Sequence, residues 1–282
     1  NYRNEELNCM FQSIINQCSF VKSFLSRANV SLIVSNITIG LGGYLTEYGK
    51  KNNIPNLSIS HGTISKSFNS SDEIYKKNIA EAVFSGSSTF YSIQSKITEE
   101  ALKTHKLNGN PIKTSNLIFA EKKVNQKNNK YILYAVTTKT FNNIQFLGVD
   151  MYFEFFKNLQ LLSYLSKENS LNFIIKLHPE IYDCSANLKK IFPNLIFSKN
   201  KIDDDLKKSF VTISYSSTVI EDSLHSGVPV ILFDPWKRYK HCSSCLDPSR
   251  KNAALYYLTN SEDLLMAIKT VRESDKYNFC DY

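Results

Sequence analysis

No apolar run in this sequence reaches the roughly 18–20 residues that a membrane-crossing helix needs. Its first residues, Asn1-Tyr2-Arg3-Asn4-Glu5-Glu6, are not a secretory signal. A cytoplasmic protein is therefore expected, and a chain that opens on Asn1 reads as cut from a longer one. Six cysteines, Cys9, Cys18, Cys184, Cys242, Cys245 and Cys280, are too sparse for a disulfide scaffold in 282 residues. His241-Cys242-Ser243-Ser244-Cys245 has a metal-like spacing, but the second ligand pair of a structural zinc site is missing, so reduced thiols are expected. No G-x-G-x-x-G occurs, and the glycines at Gly40, Gly42 and Gly43 read as a flexible loop. The sequence also lacks repeats, low-complexity segments and any Arg-rich or aromatic-interleaved motif, which argues against a nucleic-acid partner.

What is present suits a folded core: 42% hydrophobic residues, with 18 Phe and 16 Tyr. The formal net charge of +8 suits an anionic partner, such as a nucleotide or an acidic membrane surface. Apolar residues recur at helical spacing from Glu5 to Arg27. Val30–Ser35 then reads as a buried strand, Tyr44–Lys51 as a helix and Ile54–Ser60 as a strand. Residues Asn69–Ala82 read as a surface loop leading into a short helix. Thr89–Ile93 reads as a strand, and Ser95 as the cap of a helix reaching Lys106, stopped by Asn108-Gly109-Asn110-Pro111. The charged, Asn-rich run 121–130 is the candidate linker.

The alternation restarts beyond it. Strands are expected at Tyr131–Val136, Asn172–Leu177, Leu195–Phe197, Phe210–Ile213, Val228–Phe233 and Ala253–Leu258. Helices are expected at Met151–Lys167, Ser185–Ile191, Asp203–Lys208, from the Ser214–Thr218 turn to His225, and from Glu262 to Val271 with Ser261 as cap. Asp203-Asp204-Asp205 reads as the charge complement of a helix start, Lys237–Arg250 as a polar loop, and 273–282 as a tail that crosses back to the first domain. The expected fold is α/β, with two Rossmann-like domains facing a cleft: 1–120, the linker 121–130, 131–272 and the tail 273–282.

One stretch organises the rest, SFVTISYSSTVIEDSLHSGVPVILFDPW from Ser209 to Trp236. It reads as strand, hydroxyl-rich turn, helix and strand, with Gly227 ending the helix. Such a turn aims hydroxyls and backbone N–H groups at one point, where a phosphate is stabilised. Two of the five histidines, His61 and His178, fall just after predicted strands, one in each half. Ligands gather at the carboxyl ends of strands in open α/β sheets, which makes both candidates for chemistry.

Three pieces in order, SISHGTISK at 58–66, IIKLHPE at 174–180 and SYSSTVIEDSLHSGVPVILFD at 214–234, resemble the GT-B class of bacterial surface-polysaccharide transferases. In pattern they are similar to the capsule and lipopolysaccharide Kdo transferases, which use a CMP-linked sugar, and to the CDP-glycerol polyol-phosphate transferases. The resemblance implies a metal-independent glycosyltransferase without a cofactor, moving a sugar from a nucleotide-activated donor, with CMP-Kdo favoured. The acceptor would be a surface glycan or its lipid-linked precursor, with peripheral contact at an anionic membrane. It implies that His178 contacts the donor phosphate with Lys176 adding charge. Ser214, Ser216, Ser217 and Thr218 would hold phosphate or sugar-carboxylate oxygens, and Glu221 the ribose hydroxyls. His61 would face the acceptor as general base, with Glu47, Asp72 and Glu73 as alternative carboxylates. The polyol-phosphate group usually carries an Asp before the Ser-Ser turn, where this chain has Ile213-Ser214-Tyr215. A polyol-phosphate transferase, a UDP-sugar 2-epimerase of the same fold and a non-catalytic binding module are the alternatives.

Overall fold

The computed structural model describes residues 2–60, 62–105, 108–114, 129–136, 145–146, 149–274 and 276–279. The chain divides into two units, residues 1–66 with 74–117 and residues 67–73 with 118–282. Most of the candidate linker, 121–128, lies outside the described residues.

In the first unit α1 (Tyr2–Leu25) precedes β1 (Ile33–Ser35), α2 (Gly40–Lys51), β2 (Asn56–Ser58), α3 (Ser70–Phe84, whose first four residues are grouped with the second unit), β3 (Phe90–Ile93), α4 (Lys96–Leu102) and β4 (Asn110–Lys113). Among the described residues these strands form one parallel sheet in the order β1-β2-β3-β4. Its core is small: Ile64, Ala80, Val83, Phe84, Tyr91, Ile93, Ala101 and Leu102. Ser95 caps α4 as expected, its Oγ accepting from the Thr98 N–H at 3.1 Å.

Several expectations need correcting here. The segment at Val30–Ser35 is not a buried strand, because β1 is an edge strand and leaves Leu32 and Val34 half exposed. The three glycines are not a flexible loop; they form the first turn of α2. A Cβ at Gly42 would lie 2.0 Å from the Ile37 carbonyl oxygen, and one at Gly43 would lie 2.7 Å from that of Thr38. Glycine lets the helix start press against the preceding backbone. The polar run after Asn69 is a 15-residue helix rather than a loop. Asn69 Oδ1 accepts from the Asp72 N–H at 2.9 Å, and the Asp72 carboxylate accepts from the Phe68 N–H at 2.8 Å, a reciprocal cap that starts α3. Asn108–Pro111 does more than stop a helix, since β4 begins at Asn110.

The second unit runs β5 (Tyr131–Ala135), β6 (Gln145–Phe146), β7 (Val149–Asp150), α5 (Met151–Asn169), β8 (Asn172–Lys176), a 3₁₀ turn (Pro179–Cys184) and α6 (Ser185–Ile191). Then come β9 (Ile196–Ser198), α7 (Ile202–Leu206), β10 (Ser209–Ser214), α8 (Val219–His225), β11 (Val230–Phe233), β12 (Leu255–Leu258) and α9 (Ser261–Arg272). Six strands lie in the order β12-β11-β10-β5-β8-β9, all parallel among the described residues. Strands buried on both faces need apolar residues at every position. Along β5, Ile132 and Tyr134 join the large core with Leu159, Phe173, Ile213 and Leu264, while Leu133 joins Ile174, Leu206 and Val228 on the other face. Each such side chain contributes about 1.5–3 kcal/mol by leaving water.

Two details differ from expectation in this unit. Asn260, not Ser261, caps α9, accepting from the Asp263 N–H at 2.8 Å. The described part of the tail stays on this unit, with Asn278 bridging to Ala253 and Tyr277 donating to the Val271 carbonyl at 2.6 Å. Asp203, Asp204 and Asp205 stand in the first turn of α7 as expected, and Asp205 is in addition buried, 1% exposed and bonded to Ser198. Among the described residues no helix is long and apolar enough to cross a membrane.

Candidate functional site

Numbered by their place in the chain, the strands of the second sheet lie 6-5-4-1-2-3. From β5 the chain moves outward through β8 and β9, then returns to β10 on the other side and continues to β11 and β12. The order reverses between β5 and β10, and at such a reversal the carboxyl ends of the two strands leave a crevice for a ligand. The first unit's described sheet has no reversal.

The predicted turn stands at this point. Ser214 ends β10, buried, and its Oγ donates to the Ala135 carbonyl at the end of β5 at 3.1 Å. Ser216 and Ser217 follow, half-buried, and Thr218 is exposed. Ser217 Oγ accepts from the Val219 N–H at 3.3 Å, so one donor of the helix start is satisfied within the turn. Gly227, at φ +77°, closes α8 as predicted.

His178 lies half-buried just beyond β8, and its carbonyl accepts from Ile181 at 3.0 Å to begin the 3₁₀ turn. One strand separates β8 from β10, which places the two strand ends about 10 Å apart. Lys176 is committed elsewhere: its ammonium donates to the Asn200 carbonyl and lies 3.6 Å from Asp205. Its ion pair ties β8 to the corner between β9 and α7. Glu221, 1% exposed, turns inward, with His241 Nε2 at 2.7 Å from its Oε1 and Tyr239 Oη 3.2 Å from His241 Nδ1. Burial raises the neighbouring Asp222 carboxyl to about 6, with Glu221 and Asp203 adding to the effect. His61 lies outside the described residues. On either side of it, Ser60 Oγ donates to the Gly62 carbonyl at 2.6 Å and the Ile64 N–H donates to Thr98 at 3.2 Å. Of the alternative carboxylates, Asp72 is buried in the cap of α3, and Glu47 accepts from Ser87.

The sequence reading missed a second layer. Arg238, expected in a polar loop, is 5% exposed and forms a two-pronged pair with Glu154, its guanidinium nitrogens 3.0 and 2.7 Å from the carboxylate oxygens. Its Nε reaches Asp234 Oδ1 at 3.2 Å, and its guanidinium lies 4.8 Å from the Tyr215 ring and 5.0 Å from the Trp236 ring. Asp234 Oδ2 also accepts the backbone N–H groups of Arg238 and, at 2.9 Å, Tyr239. Tyr215 Oη donates to Glu154 at 3.1 Å. Burial opposes the charge on Arg238, yet its hydrogen bonds to Glu154 hold it protonated above its ordinary value. Burial pushes Glu154 upward while the guanidinium pulls it back. Lys237 takes φ +55° in this loop, a left-handed conformation rare for a residue with a Cβ, and such strain gathers at functional sites. The available signals were a charge inside the apolar run Met151-Tyr152-Phe153-Glu154-Phe155-Phe156, and Asp234 directly after an apolar strand.

The cluster clamps the loop after β11 onto α5 and the β10 turn, at the carboxyl edge of the sheet. The same edge carries the hydroxyls of Ser216, Ser217 and Thr218.

Comparison of the sequence with curated proteins found no match. Among solved structures, the UDP-GlcNAc 2-epimerase of Methanocaldococcus jannaschii, in complex with UDP-GlcNAc and UDP, is 11% identical with a TM-score of 0.54, the match covering 93% of this chain and 74% of that one. The UDP-GlcNAc 2-epimerase of Neisseria meningitidis bound to UDP-GlcNAc is 12% identical with a TM-score of 0.52, covering 94% and 76%. TarM of S. aureus, in a complex that includes UDP, is 13% identical with a TM-score of 0.49, covering 89% of this chain but 49% of its own, so the chain spans about half of TarM. At these identities the two epimerases share the fold: α/β, with two parallel sheets. In sequence, residues 44–245 match the model of the LIC12162 family transferase, which is 202 of the 282 residues and includes His61, His178 and the β10 turn. The chain belongs to the LIC12162 transferase family.

Proposed function

We propose that this chain is a glycosyltransferase unit that takes a sugar from a nucleotide-activated donor and passes it to a bacterial surface glycan or its lipid-linked precursor. The observation that carries the reading is the hydroxyl turn Ser214–Thr218 at the order reversal of a parallel sheet, one strand away from the strand end that leads to His178. Breaking a sugar–phosphate bond leaves negative charge on the nucleotide, and fixed donors aimed at that charge lower the barrier. Ser216, Ser217 and Thr218 take the phosphate oxygens with His178 across β5, and Ser214 braces the crevice through its bond to Ala135. Lys176 contributes field rather than contact, because Asp205 and Asn200 engage it. Glu221 meets the ribose only if it leaves His241; in its buried position it fixes the start of α8 instead.

His61, in the first of two domains joined near 121–130, is the proposed base for the acceptor hydroxyl. A His61→Ala variant is expected to lose turnover by at least about a hundredfold while binding the donor normally; normal turnover would remove that role. The epimerases of similar fold hold UDP-GlcNAc. UDP-sugars are therefore the first donors to test and CMP-linked sugars, including CMP-Kdo, the second. The test is calorimetric titration with UDP, CMP, CDP and GDP, followed by product analysis with and without a glycan acceptor. Binding of one nucleotide and transfer only with acceptor are expected. Product formed from donor alone would favour a 2-epimerase, the second reading that the shared fold keeps open. Binding of none of the four nucleotides would reject both. A vesicle-pelleting assay with anionic lipid tests the peripheral membrane contact.

A further inference from the structure

The loop after β11 carries the chain's single tryptophan, Trp236, which is not among the proposed phosphate contacts. Its ring is half-buried, with the Arg238 guanidinium 5.0 Å from its centre. The same guanidinium lies 4.8 Å from Tyr215, so one buried cation separates the tryptophan from the β10 turn. Glu154 and Asp234 pin that cation in turn. Phe153, in the first turn of α5 and 52% exposed, meets Trp236 at 6.5 Å between ring centres and 68° between planes. The two rings make a corner, not a slot. Lys157 lies 5.5 Å from the Phe153 ring, and Lys237 is exposed beside Trp236. This is an aromatic ledge with ammonium groups at its rim, adjoining the proposed phosphate turn and held by buried charges.

We infer that Trp236 and Phe153 form the sugar-ring platform of the donor site and that they set which activated sugar is accepted. The inference rests on the nucleotide-donor reading above. A corner suits a puckered pyranose, whose C–H groups lie against an aromatic face while its edge hydroxyls reach flanking donors. A flat nucleobase is better matched by two parallel planes. The ring face is apolar and electron-rich, and the rim supplies hydrogen bonds, the mixture that orients a ligand in a mostly apolar pocket. Because Arg238 fixes the indole before a ligand arrives, little ordering remains to be done on binding.

The single tryptophan provides the readout. Each sugar nucleotide, UDP-GlcNAc, UDP-glucose and CMP-Kdo, is titrated against its bare nucleotide on the whole chain, by tryptophan fluorescence and by calorimetry in parallel. At equal occupancy, the sugar nucleotide that binds tightest is expected to change Trp236 emission and the bare nucleotide to leave it unchanged. Trp236→Leu should weaken that sugar nucleotide about tenfold and the bare nucleotide by less than about twofold. Trp236→Phe, which keeps an aromatic face, should restore most of the difference, and Phe153→Ala tests the second ring without touching Arg238. Equal loss for the bare and the sugar-bearing nucleotide would mean that the base occupies the ledge, and would overturn the inference. Calorimetric binding with silent fluorescence and unaltered affinity in the Leu variant would also overturn it while leaving the donor site standing. Absence of calorimetric binding by any nucleotide would reject the donor reading and the platform together.

Discussion

In the first unit the polar groups that enter the interior are mostly short and neutral, and they serve the backbone. Asn56 exchanges bonds with Thr89, its N–H donating to the Thr89 Oγ1 at 3.2 Å and its Oδ1 accepting from the Thr89 N–H at 2.9 Å. Ser58 donates to the Val83 carbonyl at 2.9 Å, and Thr38 to that of Ala82 at 3.0 Å. In the second unit the buried polar groups at the strand ends include charged side chains that bond one another, the Arg238 guanidinium with Glu154 and Asp234, and a carboxylate that bonds an imidazole, Glu221 with His241. A neutral bond replaces a bond to water at little net change, about 0.5–1.5 kcal/mol each. A buried ion pair must overcome the desolvation of two charges and adds little stability on balance. What that cost returns is a fixed loop, since the Arg238 pairs hold the chain after β11 against α5. The ionic cluster lies at the edge where the strand order reverses, and the neutral network lies in the sheet whose described order does not reverse.

This contrast can be broken by experiment. Arg238→Met leaves two buried carboxylates close together and is expected to destabilise the chain by about 3–5 kcal/mol in urea unfolding. Asn56→Ala, the counterpart in the first unit, should cost about 1–3 kcal/mol by orphaning backbone groups of its partners. Equal costs for the two would erase the distinction between ionic and neutral networks. A smaller effect concerns Asp222, whose carboxyl burial raises to about 6 from an ordinary 3.8. The folded state then binds the proton more tightly than the unfolded chain. That contribution to stability is complete below about pH 4 and is lost as pH rises through about 6. Asp222→Asn should flatten this part of the melting-temperature profile and raise stability slightly at neutral pH. A variant profile parallel to that of the wild type would reject it.

The six strands of the second unit's parallel sheet were legible because strands buried on both faces spell themselves out as apolar runs, as in Tyr131–Ala135 and Val230–Phe233, whereas the short β6 and β7 were not. The cap of α4 and the closing Gly227 were legible for local reasons, since the responsible residue lies next to the break it makes. Edge strands carry a weaker signal: β4 is exposed along its length, and its Asn and Pro read as a stop. Strand order depends on pairing over long sequence separations, so the reversal between β5 and β10 left no local trace. The same holds for the ionic cluster. Glu154 and Arg238 are 84 residues apart, and each alone reads as an ordinary surface charge. The turn, by contrast, was visible as a run of hydroxyls between a strand and a helix, although the commitments of Lys176 to Asp205 and of Glu221 to His241 were not.

In the proposed reaction the carboxyl edge of the second sheet, at the reversal between β5 and β10, receives the donor phosphate. Hydrogen–deuterium exchange with and without saturating UDP tests it most directly. Added protection is expected in 214–221, 177–180 and 234–241, with little change at β4 or α1. Binding that protects other segments and leaves these three unaltered would contradict the assignment.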